Sequence, residues 1–532
     1  MPENKKEKIF TNTLFYILIF LIIFCGIFIR TRLYLLQAPL WLDEMMLAYS
    51  FTDYSFTDIF TKGLEAFQKA PPLFCAIILF IRNLFGINEL TLRFIPYISG
   101  ILALFGFFIL LNQHVKNKIG IITGVFLYAF CTPLIYFSTE FKPYGFDAFI
   151  TIILLLSYKY ISFKNLTNKR AILYSICSVI FILLSFPTIF LIPAIIIVKI
   201  IEETKKFDWK LLWICGGILS AGLYLYLYDI GTYNYLKDYW ENTEKGFSYF
   251  PTIGFLWKFM IDACKFYIYN FETNYIYYIL IYISCGFGIL LKEKNFIAKV
   301  SIFTIIFVLI ASSIEVYPFK PKLALFLAPI FIIFITKIFD ITLYIKNSNK
   351  LKYFYSILLC LGLLTIIKIN IPYLNLTEND IVYYNKALHG RNKSIEDRNS
   401  VKDICLKVLN NIKQNDKILA SEEFLYSIKY YKFRYNIDKL PDITTYGYKD
   451  NIPAEYILKT FIEQNKNYNL WFIGRNNEQY FKCLNDEDIL KVLQKINFKH
   501  TIFKKNDIYL MYVNFNNLVK NKYVILKKRS ML

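Results

Sequence analysis

The feature that most constrains this chain is a succession of long apolar runs. One extends from Phe10 to Ile29, and others follow from about Phe94 to Ile371 with brief polar breaks. About 20 apolar residues suffice for a helix to cross the hydrocarbon of a bilayer, where every backbone N–H and C=O must be satisfied within the chain. Unbroken runs of this length imply helices, since a membrane barrel would show weakly alternating segments of about ten residues. With 56% hydrophobic residues, 19% aromatic residues and a mean hydropathy of +0.40, a chain of 532 residues is too apolar for an ordinary soluble protein. The expectation is an α-helical polytopic membrane protein.

Length and hydropathy place about eleven crossings, near 10 to 29, 94 to 111, 119 to 137, 144 to 162, 171 to 185, 188 to 204, 211 to 229, 271 to 291, 297 to 314, 323 to 341 and 353 to 371. The run from Pro72 to Phe85 is apolar but short and carries Arg82, which suits an interfacial or re-entrant helix. Phe255 to Phe271, in a loop rich in Tyr, Trp and Phe, reads as a second interfacial segment.

The net charge of +21 does not imply nucleic acid, because its distribution follows the membrane. Lys116 and Lys118; Lys159, Lys164, Lys169 and Arg170; Lys199, Lys205, Lys206 and Lys210; Lys292, Lys294 and Lys299; and Lys346, Lys350 and Lys352 occupy alternate loops, and the intervening loops are poorer in cations. Retention of Lys and Arg on the cytoplasmic side then puts the loop of residues 30–93 and the carboxyl terminus outside the cytoplasmic membrane. Arg30 and Arg32, on the predicted outer side of the first span, run against this rule. That span lacks a small-residue cleavage site and reads as a retained anchor.

Residues 1–374 therefore form a transmembrane domain, and residues 375–532 are expected to form a small α/β domain outside the membrane. In that tail Asp416 to Ser421 and Asn469 to Gly474 read as buried strands between helical stretches. Eight of the ten cysteines lie in or beside apolar runs; Cys405 and Cys483 alone occupy the tail, where a disulfide between them cannot be read from sequence. His114, His389 and His500 are far apart, without ligand spacing for a metal.

Four short constellations fall on the expected outer face. They are Trp41 to Glu44; Ala70-Pro71-Pro72-Leu73 with Arg93 downstream; Glu140-Phe-Lys142-Pro-Tyr144; and Tyr317-Pro-Phe-Lys320-Pro-Lys322. Adjacent carboxylates at a membrane edge, Asp43 and Glu44, need a cavity, partner or substrate. Together the four supply carboxylates to accept a proton, and cations or tyrosines to hold a phosphate. Each also has a plain reading: Pro71-Pro72 starts a helix, Arg93 and the lysines snorkel, Glu140 and Glu315 pair with lysines, and Tyr144 and Tyr317 belong to an aromatic belt.

The ordered set resembles the GT-C membrane glycosyltransferases that use a polyprenyl-phosphate sugar, the group containing protein O-mannosyltransferases and the lipid A aminoarabinose transferase. The resemblance runs through Leu40 to Glu44, Ala70 to Leu73, Phe85 to Arg93, Ser138 to Tyr144 and Tyr317 to Phe326, over roughly residues 10 to 340. It implies an inverting transfer of sugar to a lipid, glycan or protein acceptor, with membrane lipids as the other partners. Asp43 would be the base that deprotonates the acceptor, supported by Glu44. Arg93, Glu140, Lys142, Tyr144, Tyr317, Lys320 and Lys322 would serve the donor phosphate and substrate. Lys142 and Lys322 stand where related sequences carry arginine, and lysine lacks its planar two-point grip. No cofactor is required; a divalent metal would help the phosphate, but no ligand cluster demands one. The competing expectations are a flippase of lipid-linked sugars, whose charges would lie near the bilayer midplane, and an inactive scaffold of envelope assembly.

Overall fold

A computed structural model describes residues 2–203, 208–228, 230–243, 273–318, 320, 322–344, 395–414, 416–437, 443–446, 460–465, 468–475, 500–505, 508–513 and 524–525. The expected span at 353 to 371, the Phe255 to Phe271 segment, His389 and Cys483 lie outside them. The chain divides into two compact units, one of Met1–Gln37, Tyr54–Gly86 and Leu90–Asp380, the other of Ala38–Asp53, Ile87–Glu89 and Ile381–Leu532.

The helices in chain order are α1 (Pro2–Leu35), α2 (Leu42–Asp53), α3 (Phe56–Thr61), α4 (Pro72–Phe85), α5 (Glu89–His114), α6 (Lys118–Ala129), α7 (Thr132–Phe137) and α8 (Tyr144–Ser157). They continue as α9 (Asn168–Leu184), α10 (Thr188–Glu203), α11 (Leu211–Tyr228), α12 (Ile230–Asp238), α13 (Thr273–Lys292), α14 (Phe296–Ser313), α15 (Ala328–Lys337), α16 (Ile395–Asn411) and α17 (Glu422–Arg434).

The first unit is helical. Among the described residues five segments are long and apolar enough to cross a membrane: Asn12–Leu35, Glu89–His114, Leu211–Tyr228, Phe296–Ser313 and Leu325–Leu343. They differ in what they face. On α1 the side chains of Leu14, Tyr16, Ile17, Phe20, Phe24 and Phe28 are exposed, an apolar surface that lipid solvates and water would not. Every residue of α15 is buried, so this helix lies at the centre of the bundle. It is approached so closely by α13 that a Cβ at Gly286 would overlap the Phe334 carbonyl oxygen; without lipid-driven burial between helices, such close backbone packing supplies the cohesion. Pro72 starts α4, and Gly86, at a φ of 75°, ends it after 14 residues, about 21 Å of helix and short of a full crossing.

The stretch expected as one crossing at 119 to 137 is instead two helices, α6 and α7, broken at Phe130 and Cys131. Pro133 explains the break, because its ring excludes the carbonyl of the residue four positions earlier, Ala129, from a continued helix. The freed Ala129 oxygen accepts a 2.8 Å hydrogen bond from Arg30 Nη1, which also donates to Gly26 O at 3.0 Å. Arg30 is wholly buried. It is thus an internal cap rather than a loop charge, which removes its conflict with the charge distribution.

A second buried polar cluster ties three connections together. Lys337 Nζ donates to His114 O at 2.6 Å and pairs with Glu293 at 2.7 Å and Asp340 at 2.8 Å. Asp340 in turn accepts from the backbone N–H groups of Lys116, at 3.0 Å, and Asn117, at 2.8 Å. The α5–α6 turn, the α13–α14 turn and the end of α15 thereby share one set of charges.

The second unit contains a six-stranded sheet of β1 (Lys417–Ser421), β2 (Ile443–Tyr446), β3 (Leu470–Arg475), β4 (His500–Lys505), β5 (Ile508–Val513) and β6 (Val524–Ile525), in the order β2-β1-β3-β5-β4-β6. Both segments read as strands from sequence are strands. β2, β1 and β3 are parallel, with α17 connecting β1 to β2 as a crossover, whereas β5 is antiparallel to β3 and β4. The apolar runs of β1 and β3 are buried on both faces, as a parallel arrangement requires. Buried Asp416 locks their starts: it accepts from Trp471 Nε1 at 2.9 Å, Asn469 Nδ2 at 3.0 Å and Lys413 N at 3.0 Å.

Candidate active site

The acid pair opens α2. Trp41 O accepts the first helical hydrogen bond from Met45 N at 2.8 Å, and Glu44 Oε2 reaches back to accept from Trp41 N at 3.2 Å. This is the glutamate half of a capping box, and both acids lie in the first turn, where the helix dipole favours negative charge. The two carboxylates are not equivalent. Glu44 is buried completely, whereas Asp43 is only partly buried. The rest of α2 packs against α17, where Lys429 Nζ donates to the Tyr49 hydroxyl at 2.8 Å and sits over its ring. The acid pair therefore belongs to the same compact unit as the carboxyl-terminal sheet, an association that no local pattern announced.

The other candidates belong to the first unit. Arg93, on α5, is buried. Glu140, Lys142 and Tyr144 lie on a tight turn and the start of α8, and the turn is wound by local bonds: Ser138 Oγ to Ile135 O at 2.6 Å, Thr139 Oγ1 to Tyr136 O at 3.0 Å, and Lys142 N to Glu140 O at 2.8 Å. Lys142, also buried, donates its Nζ to Gln68 Oε1 at 2.6 Å. An ammonium in that position is a committed cation rather than one snorkelling at a surface. The Tyr144 ring meets Phe137 edge-on at 5.1 Å.

Gly145 makes this turn possible. A Cβ there would lie 2.5 Å from the Phe137 carbonyl oxygen, which is backbone and cannot swing away. Gly145→Ala is expected to cost about 1 to 3 kcal/mol, measurable as a lower unfolding midpoint in detergent, with a proportionate loss of whatever the turn positions.

Tyr317 follows α14 after Glu315, which adopts a φ of 62°. The Tyr317 hydroxyl donates to Leu323 O at 3.0 Å, and its ring meets Phe190 at 5.0 Å. Burial, reinforced by the nearby Asp147 carboxylate, raises its phenol pKa well above the ordinary value, so it stays a neutral donor. Lys320 and Lys322 are half-buried, with the Lys322 ammonium 5.3 Å from the Trp240 ring centroid. Glu315 pairs with Lys237.

Asp147 and Gln68 were missed by sequence reasoning. Asp147, in the first turn of α8, is buried and accepts from Ser185 Oγ at 2.7 Å. Its charge also acts on the Tyr317 phenol, so it lies near two constellations that are far apart in sequence. Its position three residues after Tyr144 puts both on one helix face, a signal that was available. Gln68 lies in an irregular loop and gave no signal. Among the described residues no three His, Cys, Asp or Glu side chains gather as metal ligands.

No protein-family model and no curated protein matches the sequence. Solved structures do. The apo structure of ArnT from Cupriavidus metallidurans aligns with a TM-score of 0.50 at 12% identity, covering 95% of this chain and 98% of that one. ArnT from the same organism bound to undecaprenyl phosphate aligns with a TM-score of 0.51 at 10% identity, covering 96% and 99%. The chain has the GT-C fold. An oligosaccharyltransferase from Archaeoglobus fulgidus in complex with Zn and sulfate aligns with a TM-score of 0.45 at 13% identity, over 92% of this chain and 72% of that one.

Proposed function

We propose that this chain is an inverting glycosyltransferase that moves a hexose or pentose from a polyprenyl-phosphate carrier to a lipid, glycan or protein acceptor on the outer face of the cytoplasmic membrane. The observation that carries this reading is the full-length likeness to an ArnT structure bound to undecaprenyl phosphate. It is supported by a partly exposed Asp43 at a helix start and by the buried cations Arg93 and Lys142.

Asp43 accepts the acceptor hydroxyl proton as that oxygen attacks the anomeric carbon. The bond from that carbon to the phosphate oxygen breaks, and its electron pair leaves with the carrier phosphate. A single displacement without a covalent enzyme intermediate inverts the anomeric centre. Arg93 and Lys142 offset charge that grows on the departing phosphate, and the Tyr144 hydroxyl offers a further donor. Cations held in a water-poor setting before the reaction begins are worth more than the same charges in water.

The test is to supply polyprenyl-phosphate sugars to the purified protein in liposomes and to measure release of the carrier phosphate together with sugar transfer. Translocation without bond cleavage would replace this reading with a flippase. Hydrogen bonds to charged groups contribute about 1.5 to 3 kcal/mol, so Lys142→Ala should lower kcat/KM for the donor by about 10- to 100-fold. An unchanged value would remove Lys142 from donor binding.

A further inference from the structure

We infer that Arg398, in helix α16 of the tail, is a positioning residue that holds the Asp43-Glu44 turn. This rests on the glycosyltransferase reading for its functional meaning and on geometry for its substance. Arg398 Nη1 lies 3.8 Å from Glu44 Oε2 and 3.4 Å from Pro39 O, an acceptor 359 residues earlier in the chain. The guanidinium is buried, and its Nε and Nη2 have no hydrogen-bond partner among the described residues. A buried cation with unspent donors is costly, and the carboxylate it faces among the described residues is the immediate neighbour of Asp43.

Two further contacts repeat the pattern. Lys429 donates to Tyr49 on α2, and Arg434 pairs with Glu89. Burial works against the Arg434 charge, but Glu89 and the tyrosines around it hold its pKa above the ordinary value, so this pair stays ionised. Three cations of the tail thus each engage residues 38–53 or 87–89. Arg398 differs in engaging the acid pair itself: it anchors Glu44, Glu44 holds the Trp41 N–H, and the first turn of α2 then presents Asp43 in one orientation. The tail acts as the scaffold of the base rather than as an appended module.

The test uses the full-length protein in liposomes, with Arg398→Met, Glu44→Gln and the double variant. Each single change should lower kcat by about 10- to 100-fold with the donor KM within about twofold, the double variant should be no slower than the slower single one, and Arg398→Lys should recover part of the loss. Hydrogen exchange supplies an arm independent of activity: residues 38–53 should exchange faster in Arg398→Met, while β1 and β3 keep their protection. If β1 and β3 also lose protection, the exchange of Arg398→Lys is decisive, and faster exchange confined to 38–53 supports the anchor. Multiplicative effects of the two single changes on kcat, or unaltered exchange of 38–53, would overturn the inference. Should the native protein release no carrier from any donor, the glycosyltransferase reading fails, and exchange alone decides whether Arg398 holds the turn.

Discussion

Asp43→Asn is expected to reduce carrier release by about 10²- to 10⁴-fold in kcat, with little change in the donor KM, because a general base contributes about that factor. Asparagine preserves the size of the side chain but loses the negative charge and with it the capacity to take up a proton. Of the two acids, Asp43 is the partly exposed one and Glu44 is wholly buried, which is why the proposed base is Asp43. Glu44→Gln should behave differently. It keeps an oxygen to accept from Trp41 N but removes the charge facing Arg398, so the first turn loosens rather than losing its base. Rates for both variants with one donor, together with their unfolding midpoints, separate the two roles. Full activity in Asp43→Asn would end the proposed mechanism.

The largest expected loss of stability comes from Lys337→Met. Lys337 and Asp340 are both wholly buried, and the carboxylate of Glu293 shares the same ammonium. Deleting one partner of a buried pair leaves an uncompensated charge and costs about 3 to 5 kcal/mol. Asp340 keeps the backbone N–H groups of Lys116 and Asn117, which offset part of the loss. Thermal unfolding in detergent should show a clear drop, and adding Asp340→Asn to Lys337→Met should restore part of it. By comparison the exposed Lys62–Asp58 pair, whose lysine side chain is 62% exposed, should contribute no more than about 1 kcal/mol. A Lys337→Met protein as stable as the parent would show that this cluster does not bind the three connections together.

Much of the fold was legible because membrane helices are written locally. A run such as Phe296–Ser313 is apolar throughout, and within hydrocarbon a helix is the conformation that satisfies its own backbone. The break at Phe130 and Cys131 was legible in principle, since Pro133 acts on Ala129 four residues back. Composition alone could not reveal that Arg30 caps the freed carbonyl, because that contact spans 99 residues. In the tail, β1 and β3 were recognisable as buried apolar runs. The β4–β5 hairpin was passed over despite Asn506-Asp507 before the apolar run Ile508 to Val513, a turn signal that sequence offers.

By itself, the sequence determined that the chain is a helical membrane protein, and which short acidic, basic and tyrosine motifs were candidates for chemistry; of the expected crossings, five described segments are long and apolar enough to span. Hydrophobic periodicity and residue type act over a few turns, so they survive in a linear reading. Only the tertiary structure decided which of two adjacent acids is wholly buried, that Lys142 is a buried donor to Gln68, that Asp147 is buried against Ser185, and that Arg398 meets Glu44. Burial and charge pairing are properties of groups brought together across hundreds of residues, and no local pattern encodes which cation will face which carboxylate.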